Sequence, residues 1–313
     1  MDRTDGASRR PKIERRVDAD SELRTDKARR IFEDHKAIIV LVVVNVLLLF
    51  AVSFALRVRI TFDIGLKLVF FVSTSTMYLY ERKLFQRSWP SVTGWWWRSL
   101  VFTGIQASVV YYSGPLWDDW LEHNRAWSIG ESGAIAGTLV AFLVMTFVSY
   151  WQHRIKHMVP ILWRYLHQLH HSPKRLELLT SYYRNPLEIF LNMFVISAVL
   201  YLIVGSTKMI AANAVLLLGM ADMFYHWNVR TPRWIGYIIQ RPESHCIHHC
   251  TGVHACNFGD LAVWDILFGT FKNPREYKGA CGFSRDAEQH FVAMLLGRDM
   301  SLGQHRYGTA RLP

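Results

Sequence analysis

Long uncharged runs alternate with polar stretches along this chain. Ala37 to Leu56 carries no charge over 20 residues, enough α-helix to cross a bilayer core. Comparable runs cover Ser99 to Trp117, Ser132 to Gln152 and Ile189 to Thr207. Leu68 to Tyr80 and Met209 to Ala221 are shorter and reach spanning length once their polar flanks snorkel to the interface. The pattern predicts an all-α, polytopic membrane protein with about four to six transmembrane helices. Polar segments on one side would form a helical cap. The first 36 residues read as a solvated tail, with a short amphipathic helix near Ile31 and Phe32. They show no basic start, short apolar core and cleavage site, so no cleaved leader is expected.

Composition sharpens this picture. The 313 residues are 51% hydrophobic, yet the formal charge is +11. A basic chain raises the prospect of nucleic acid, but the charge follows the membrane map instead. Segments 1–36, 81–98, 153–188 and 228–313 hold 31 of the 36 Lys and Arg residues. The other side holds Arg57, Arg59, Lys67, Arg125 and Lys208. Six spans place both termini and the basic segments together, on the cytoplasmic side by the positive-inside rule. The acidic loop with Asp118, Asp119, Glu122 and Glu131 would then face outward. Trp89, Trp95, Trp96, Trp97, Trp117 and Trp120 sit at the proposed edges, as an interfacial belt would. No nucleic-acid partner is expected. Four Cys without a CxxC pair give neither a disulfide framework nor a zinc ribbon.

Nine of the 14 histidines fall between positions 153 and 249 in spaced groups: His153 and His157; His167, His170 and His171; His226; His245, His248 and His249. The first pair, at i and i+4, continues an apolar run and leaves one helix face. In each HxxHH box the first and second His, at i and i+3, are read as sharing a face. The third is splayed about 100° around, toward a second metal or a neighbouring helix. Neutral imidazole binds Fe, Zn and Cu, and this many suffices for two metal ions. His226 could instead bond Asp222 one turn earlier. His35, His123, His254, His290 and His305 have no partner spacing and are read as structural or surface residues.

This order of His boxes resembles the fatty acid hydroxylase/sterol desaturase superfamily of membrane-bound di-iron oxygenases. So do Asn257-Phe-Gly-Asp260 followed by Trp264-Asp265, and His170-His171-Ser172-Pro173 leading to Arg184-Asn185-Pro186-Leu187-Glu188. The likeness covers roughly 132–275. It implies a catalytic domain there, after a cytoplasmic tail over 1–36 and N-terminal transmembrane helices over 37–131, with a C-terminal cytoplasmic tail over 276–313. Asn185 stands where many relatives have His before the Pro, either offering its amide oxygen to a metal or packing.

The resemblance implies two Fe ions, with zinc as an alternative occupant, and O2 as cosubstrate. The reaction implied is hydroxylation of a lipid C–H bond in a fatty acyl, sterol, alkylglycerol or ornithine-lipid-like substrate. Desaturation on the same site is the nearest alternative, and a metal transporter is the alternative of another class. Asp222, Asp260 and Asp265 are candidate acceptors for the outer ring N–H groups, with Arg184, Asn257, Tyr182 and Tyr183 as further lining residues. Cys246 and Cys250, interleaved with the third box, leave a mixed His/Cys site open. No haem or iron–sulfur spacing and no GxGxxG is present, so electrons should come from a separate ferredoxin, cytochrome b5-like protein or reductase. It would dock on a basic face that includes Lys174 and Arg175. A bacterial inner membrane is preferred over the endoplasmic reticulum because no retrieval signal ends the chain.

Overall fold

Helices occupy the uncharged runs in the computed structural model, which describes residues 10–56, 60–84, 87–283 and 286–301. Arg57, Arg59, His305 and the end of the C-terminal tail lie outside the described residues. The principal helices are α1 (Arg10–Leu56), α2 (Phe62–Leu84), α3 (Trp95–His123), α4 (Ala134–Met158), α5 (Pro186–Ala198), α6 (Lys208–His226) and the short α7 (Pro242–His248). Among the described residues there is no strand, only the isolated bridges Ile239–Leu261 and Cys250–Cys281.

Among the described residues, five helical stretches are long and apolar enough to cross a membrane: Ile31–Ala55, Phe62–Lys83, Ala134–Met158, Pro186–Ile203 and Lys208–His226. The run Ser99 to Trp117 is helical within α3 but is not among them. Gly104, Gln106, Ser108, Ser113, Gly114 and Pro115 dilute its apolar character. Phe50 and Phe54 of α1 are 71% and 77% exposed, and a contiguous apolar face of that kind belongs against lipid. The protein is an integral membrane protein.

The five spans and α3 assemble by pairs. α3 lies along α5, α4 along α6, and α2 against both α1 and α6. Ala141, Met145, Ala211 and Ala214 are buried where α4 meets α6. Gly137 lets them approach, since a Cβ there would sit 2.6 Å from Ile210.

The ends of the spans are set locally. α4 stops because Val159 is extended ahead of Pro160, whose ring disfavours helix in the residue before it. The chain restarts over 160–171, where a π turn at Trp163–His167 precedes the helical turn Gln168–His171. Pro186 opens α5, and Asn185 caps it: its Oδ1 accepts from Leu187 N at 2.9 Å, and its Nδ2 donates to Tyr165 O at 2.8 Å. Asn185 therefore spends its amide oxygen on the helix start. The last turn of α4, the first of α5 and the last of α6 meet at one end of the bundle. The segment 160–171, α7 and the loop after it cover that end.

Candidate metal centre

All nine spaced histidines come together there, in two groups. His153, His157, His167, His171 and His248 form the first; His170, His226, His245 and His249 form the second. Within each group the nitrogens that could hold a metal lie within 4.8 Å of one another. In the first, His171 Nε2 is 3.1 Å from Nε2 of both His167 and His248. In the second, His245 Nε2 is 3.0 Å from Nε2 of both His226 and His249, and His226 Nε2 is 3.3 Å from His170 Nε2.

The i, i+3 reading of the HxxHH boxes is corrected here. The first and third His of each box share a group, and the middle one crosses to the other. His167 and His171 face the first group while His170 faces the second; His245 and His249 face the second while His248 faces the first. Helical geometry accounts for this. A step of four residues turns a side chain only about 40° from its start, whereas three leaves it about 60° away on the opposite side. The boxes are thus mutual braces. Where they meet, the His171 and His249 rings stack, 4.1 Å between centroids and 13° between planes.

Outer contacts fix the tautomers. Nδ1 donates to Phe258 O from His153 (2.9 Å), to Cys256 O from His248 (2.7 Å) and to Asp222 O from His226 (2.7 Å). His167 Nδ1 donates to Glu188 Oε1 at 2.9 Å. Each acceptor can only accept, so these four rings carry their proton on Nδ1 and turn the Nε2 lone pair inward. His153 Nε2 is buried with no hydrogen-bond partner among the described residues. Burial also holds the pKa of His167, His170, His171, His245, His248 and His249 below the ordinary value, so these rings are neutral, as ligands must be. Each group is able to hold a metal ion.

The other sequence candidates have distinct places. Arg184 Nη2 bonds both oxygens of Asp222, at 2.6 and 2.7 Å, and Asp222 Oδ1 lies 3.3 Å from His226 Nδ1. His226 therefore meets Asp222 and joins the second group at once. Asp260 Oδ1 accepts from Tyr225 Oη at 3.2 Å, and burial pushes its carboxyl up to about 7. The hydrogen bonds of the Asn257 side chain go to the backbone and not to a His: Nδ2 bonds Ser244 O and Oδ1 bonds Lys272 N. Tyr182 Oη donates to Met223 Sδ at 2.8 Å, and Tyr183 packs with Trp95, Phe102 and Trp163 in the cap. Cys246 and Cys250 belong to neither histidine group; Cys246 packs with Leu176 and Cys281.

The Asp265 carboxylate likewise bonds the loop that holds His153 and not a His ring. Its Oδ1 accepts from Phe258 N and Thr270 Oγ1, and its Oδ2 from Gly259 N. Phe258 O in turn holds His153. Asp265→Ala strands two buried backbone donors, each costing about 1–3 kcal/mol. Thermal unfolding in detergent should show a loss on the order of 3 kcal/mol. An unchanged midpoint would rule out this anchoring role.

Two residues near the groups carry no spacing signal in the sequence. His254, at φ 41°, places Nδ1 3.1 Å from His171 Nδ1. Glu188 is 1% exposed, and its Oε1 takes both His167 Nδ1 and Lys156 Nζ, the latter at 2.8 Å. An acid in the first turn of an apolar span is the available hint for Glu188, since burying it demands a partner. A cavity of about 200 Å³ opens from the histidines. His153, His167, His170 and His245 line one end, and Ile196, Val215 and Leu218 line its apolar wall between α4, α5 and α6.

Residues 138–270 match the family model for fatty acid hydroxylase. Among curated proteins, the chain is similar to alkylglycerol monooxygenase of Homo sapiens, 28% identical over 182 residues, which covers 57% of this chain and 38% of that protein. It is also similar to alkylglycerol monooxygenase of Danio rerio (27% over 180 residues, 55% and 37%) and of Xenopus tropicalis (26% over 147 residues, 44% and 31%). The matches span less than two fifths of the length of these relatives. No solved structure matches the chain. These matches support the superfamily resemblance read from the His boxes.

Proposed function

We propose that this chain is a di-iron lipid hydroxylase that inserts one oxygen atom of O2 into a C–H bond of an alkylglycerol-like membrane lipid. One observation carries the reading: two groups of buried histidines stand at the end of a cavity whose far wall is apolar and lies among membrane-spanning helices. The donor set fits the metal. His153 Nε2 is an orphaned lone pair, and His171 and His245 each place one nitrogen against two others, which a single N–H cannot satisfy. His153, His157, His167, His171 and His248 would hold one iron, and His170, His226, His245 and His249 the other. All-imidazole sites also accept zinc. Bound there, the two irons would supply the capacity to reduce and split O2 and to attack an unactivated C–H bond.

The protein's own side chains would do the rest. Ile196, Val215 and Leu218 hold hydrocarbon and exclude water, while Arg184, Asp222 and Gln152 offer polar contacts beside the histidines. Asp260 borders the same cavity, and its carboxyl, which accepts from Tyr225 Oη, would hold a proton near neutral pH. By the positive-inside rule this end of the bundle would face the cytoplasm, where a separate protein would deliver electrons. On the basic face Arg175 is committed to Glu177 and Pro90 O, so Lys174, whose ammonium meets the exposed Asp286, is the freer of the two for docking.

Lipid profiles of aerated cells with and without the gene test the reading. A lipid class should gain the mass of one oxygen, and His170→Ala should erase the gain. A loss of two hydrogens instead would make the protein a desaturase. No change in any lipid, with metal bound, would sink both.

A further inference from the structure

We propose that the seam between α4 and α5 is the lateral passage by which a lipid's hydrocarbon chain reaches the histidine groups, and that Lys156 latches it. The substrate class rests on the hydroxylase reading. A second, apolar groove of about 350 Å³ lies along the outer face of this seam. Phe147, Trp151 and Ile155 of α4 wall it on one side, and Leu191 and Val195 of α5 on the other. Gln152, Lys156 and Asn192 line both this groove and the cavity at the histidines. These three side chains are therefore the partition between the two spaces.

Helix pairing makes this the weak seam of the bundle. α4 runs along α6, and α5 runs along α3, while α4 and α5 make little backbone approach of their own. At the level of the partition the crossing contacts are polar: Lys156 Nζ donates to Glu188 Oε1 at 2.8 Å and to Asn192 Oδ1 at 2.9 Å. A lysine is a point charge on a flexible stem, so its rotation opens the partition without displacing a helix. Glu188 would stay in place meanwhile, because His167 Nδ1 holds the same oxygen.

The groove lies within the membrane-spanning lengths of both helices, and Ile155 and Leu191 are 41% and 40% exposed at its rim. The medium at that depth is lipid, and the wall is almost wholly apolar, so the occupant is an alkyl chain. With the partition open, the groove would join the cavity and give the chain a path from bilayer to histidines that never passes through water. Gln152 and Asn192, on the partition, would meet the polar end of a short chain or the middle of a long one.

Photolabelling of the purified, metal-loaded protein in lipid nanodiscs tests the passage. The probes are hexadecyl and hexyl glycerol ethers with a diazirine on the chain, plus a diazirine-bearing palmitate to cover the acyl case. In the wild-type protein the long probes should label peptides of the groove and the cavity-lining peptide of α6 that holds Val215 and Leu218. Leu191→Trp and Val195→Trp fill the groove from outside the cavity. They should cut cavity labelling by the long probes about tenfold while leaving metal content and hexyl labelling unchanged. Asn192→Ala removes one side of the latch and should speed cavity labelling.

Unchanged long-chain labelling in both Trp variants would overturn the passage, as would equal loss of long and short probes with metal retained. If the Trp variants fail to fold, an unchanged labelling rate in Asn192→Ala overturns it instead. Absence of cavity labelling in the wild-type protein also counts against it. The readout needs no turnover, which separates the two ideas. Intact labelling without any oxygenated lipid fails the hydroxylase reading alone, and wild-type product formation in Val195→Trp fails the passage alone.

Discussion

His249→Ala is expected to abolish lipid oxygenation and to empty the second histidine group while leaving the first occupied. His248→Ala, one residue earlier, should act on the opposite group. The reasoning follows from the crossing of the HxxHH boxes: His248 faces His171 and His167, whereas His249 faces His245 and His226. The groups also differ in reserve. Without His248 the first group retains His153, His157, His167 and His171; without His249 the second retains only His170, His226 and His245. Metal analysis should therefore show a deeper loss in His249→Ala. Activity should fall in both by at least about 100-fold, the upper range for removing contacts that merely support a ligand. Equal metal loss in the two variants, or none in either, would refute the division into groups.

That division is where sequence reading reached its limit. The spacing of the boxes was enough to gather the nine residues, because i, i+3 and i+4 steps all return to one broad face of a helix. Which ring joins which group depends on a difference of tens of degrees around short helical turns, one of them beginning in a π turn at Trp163–His167. Periodicity cannot see that. The spans were legible because about 20 apolar residues have few other uses. α3 was less so, since its run mixes glycine, serine and glutamine among apolar residues. His254 had no partner in spacing because a loop with a left-handed residue, rather than a helix, carries it to His171. Asp265 and Asn257 looked like supports for the rings, and they are supports of the backbone that holds the rings. An acid's usefulness to a loop and to an imidazole cannot be told apart by residue type.

Glu188 is the support whose loss should cost most, and its two partners allow its roles to be separated. Its Oε1 serves His167 Nδ1 and Lys156 Nζ together. Glu188→Ala leaves the ammonium of Lys156, a residue 8% exposed, with Asn192 Oδ1 as its remaining bond in this cluster. Breaking one side of a buried pair costs about 3–5 kcal/mol, which thermal unfolding should show. The same change frees the His167 ring to rotate, so metal affinity of the first group should drop by roughly 10–100-fold. Glu188→Gln keeps an oxygen for His167 but no charge for Lys156, so it should retain metal better than Ala while still losing stability. Adding Lys156→Met to Glu188→Ala removes the stranded charge. Stability should then recover in large part, because an apolar pair can replace a buried ion pair at little cost. Metal affinity should not recover, since His167 still lacks its acceptor. Recovery of both in the double variant would mean that the ammonium, and not the lost bond to His167, had disturbed the metal group.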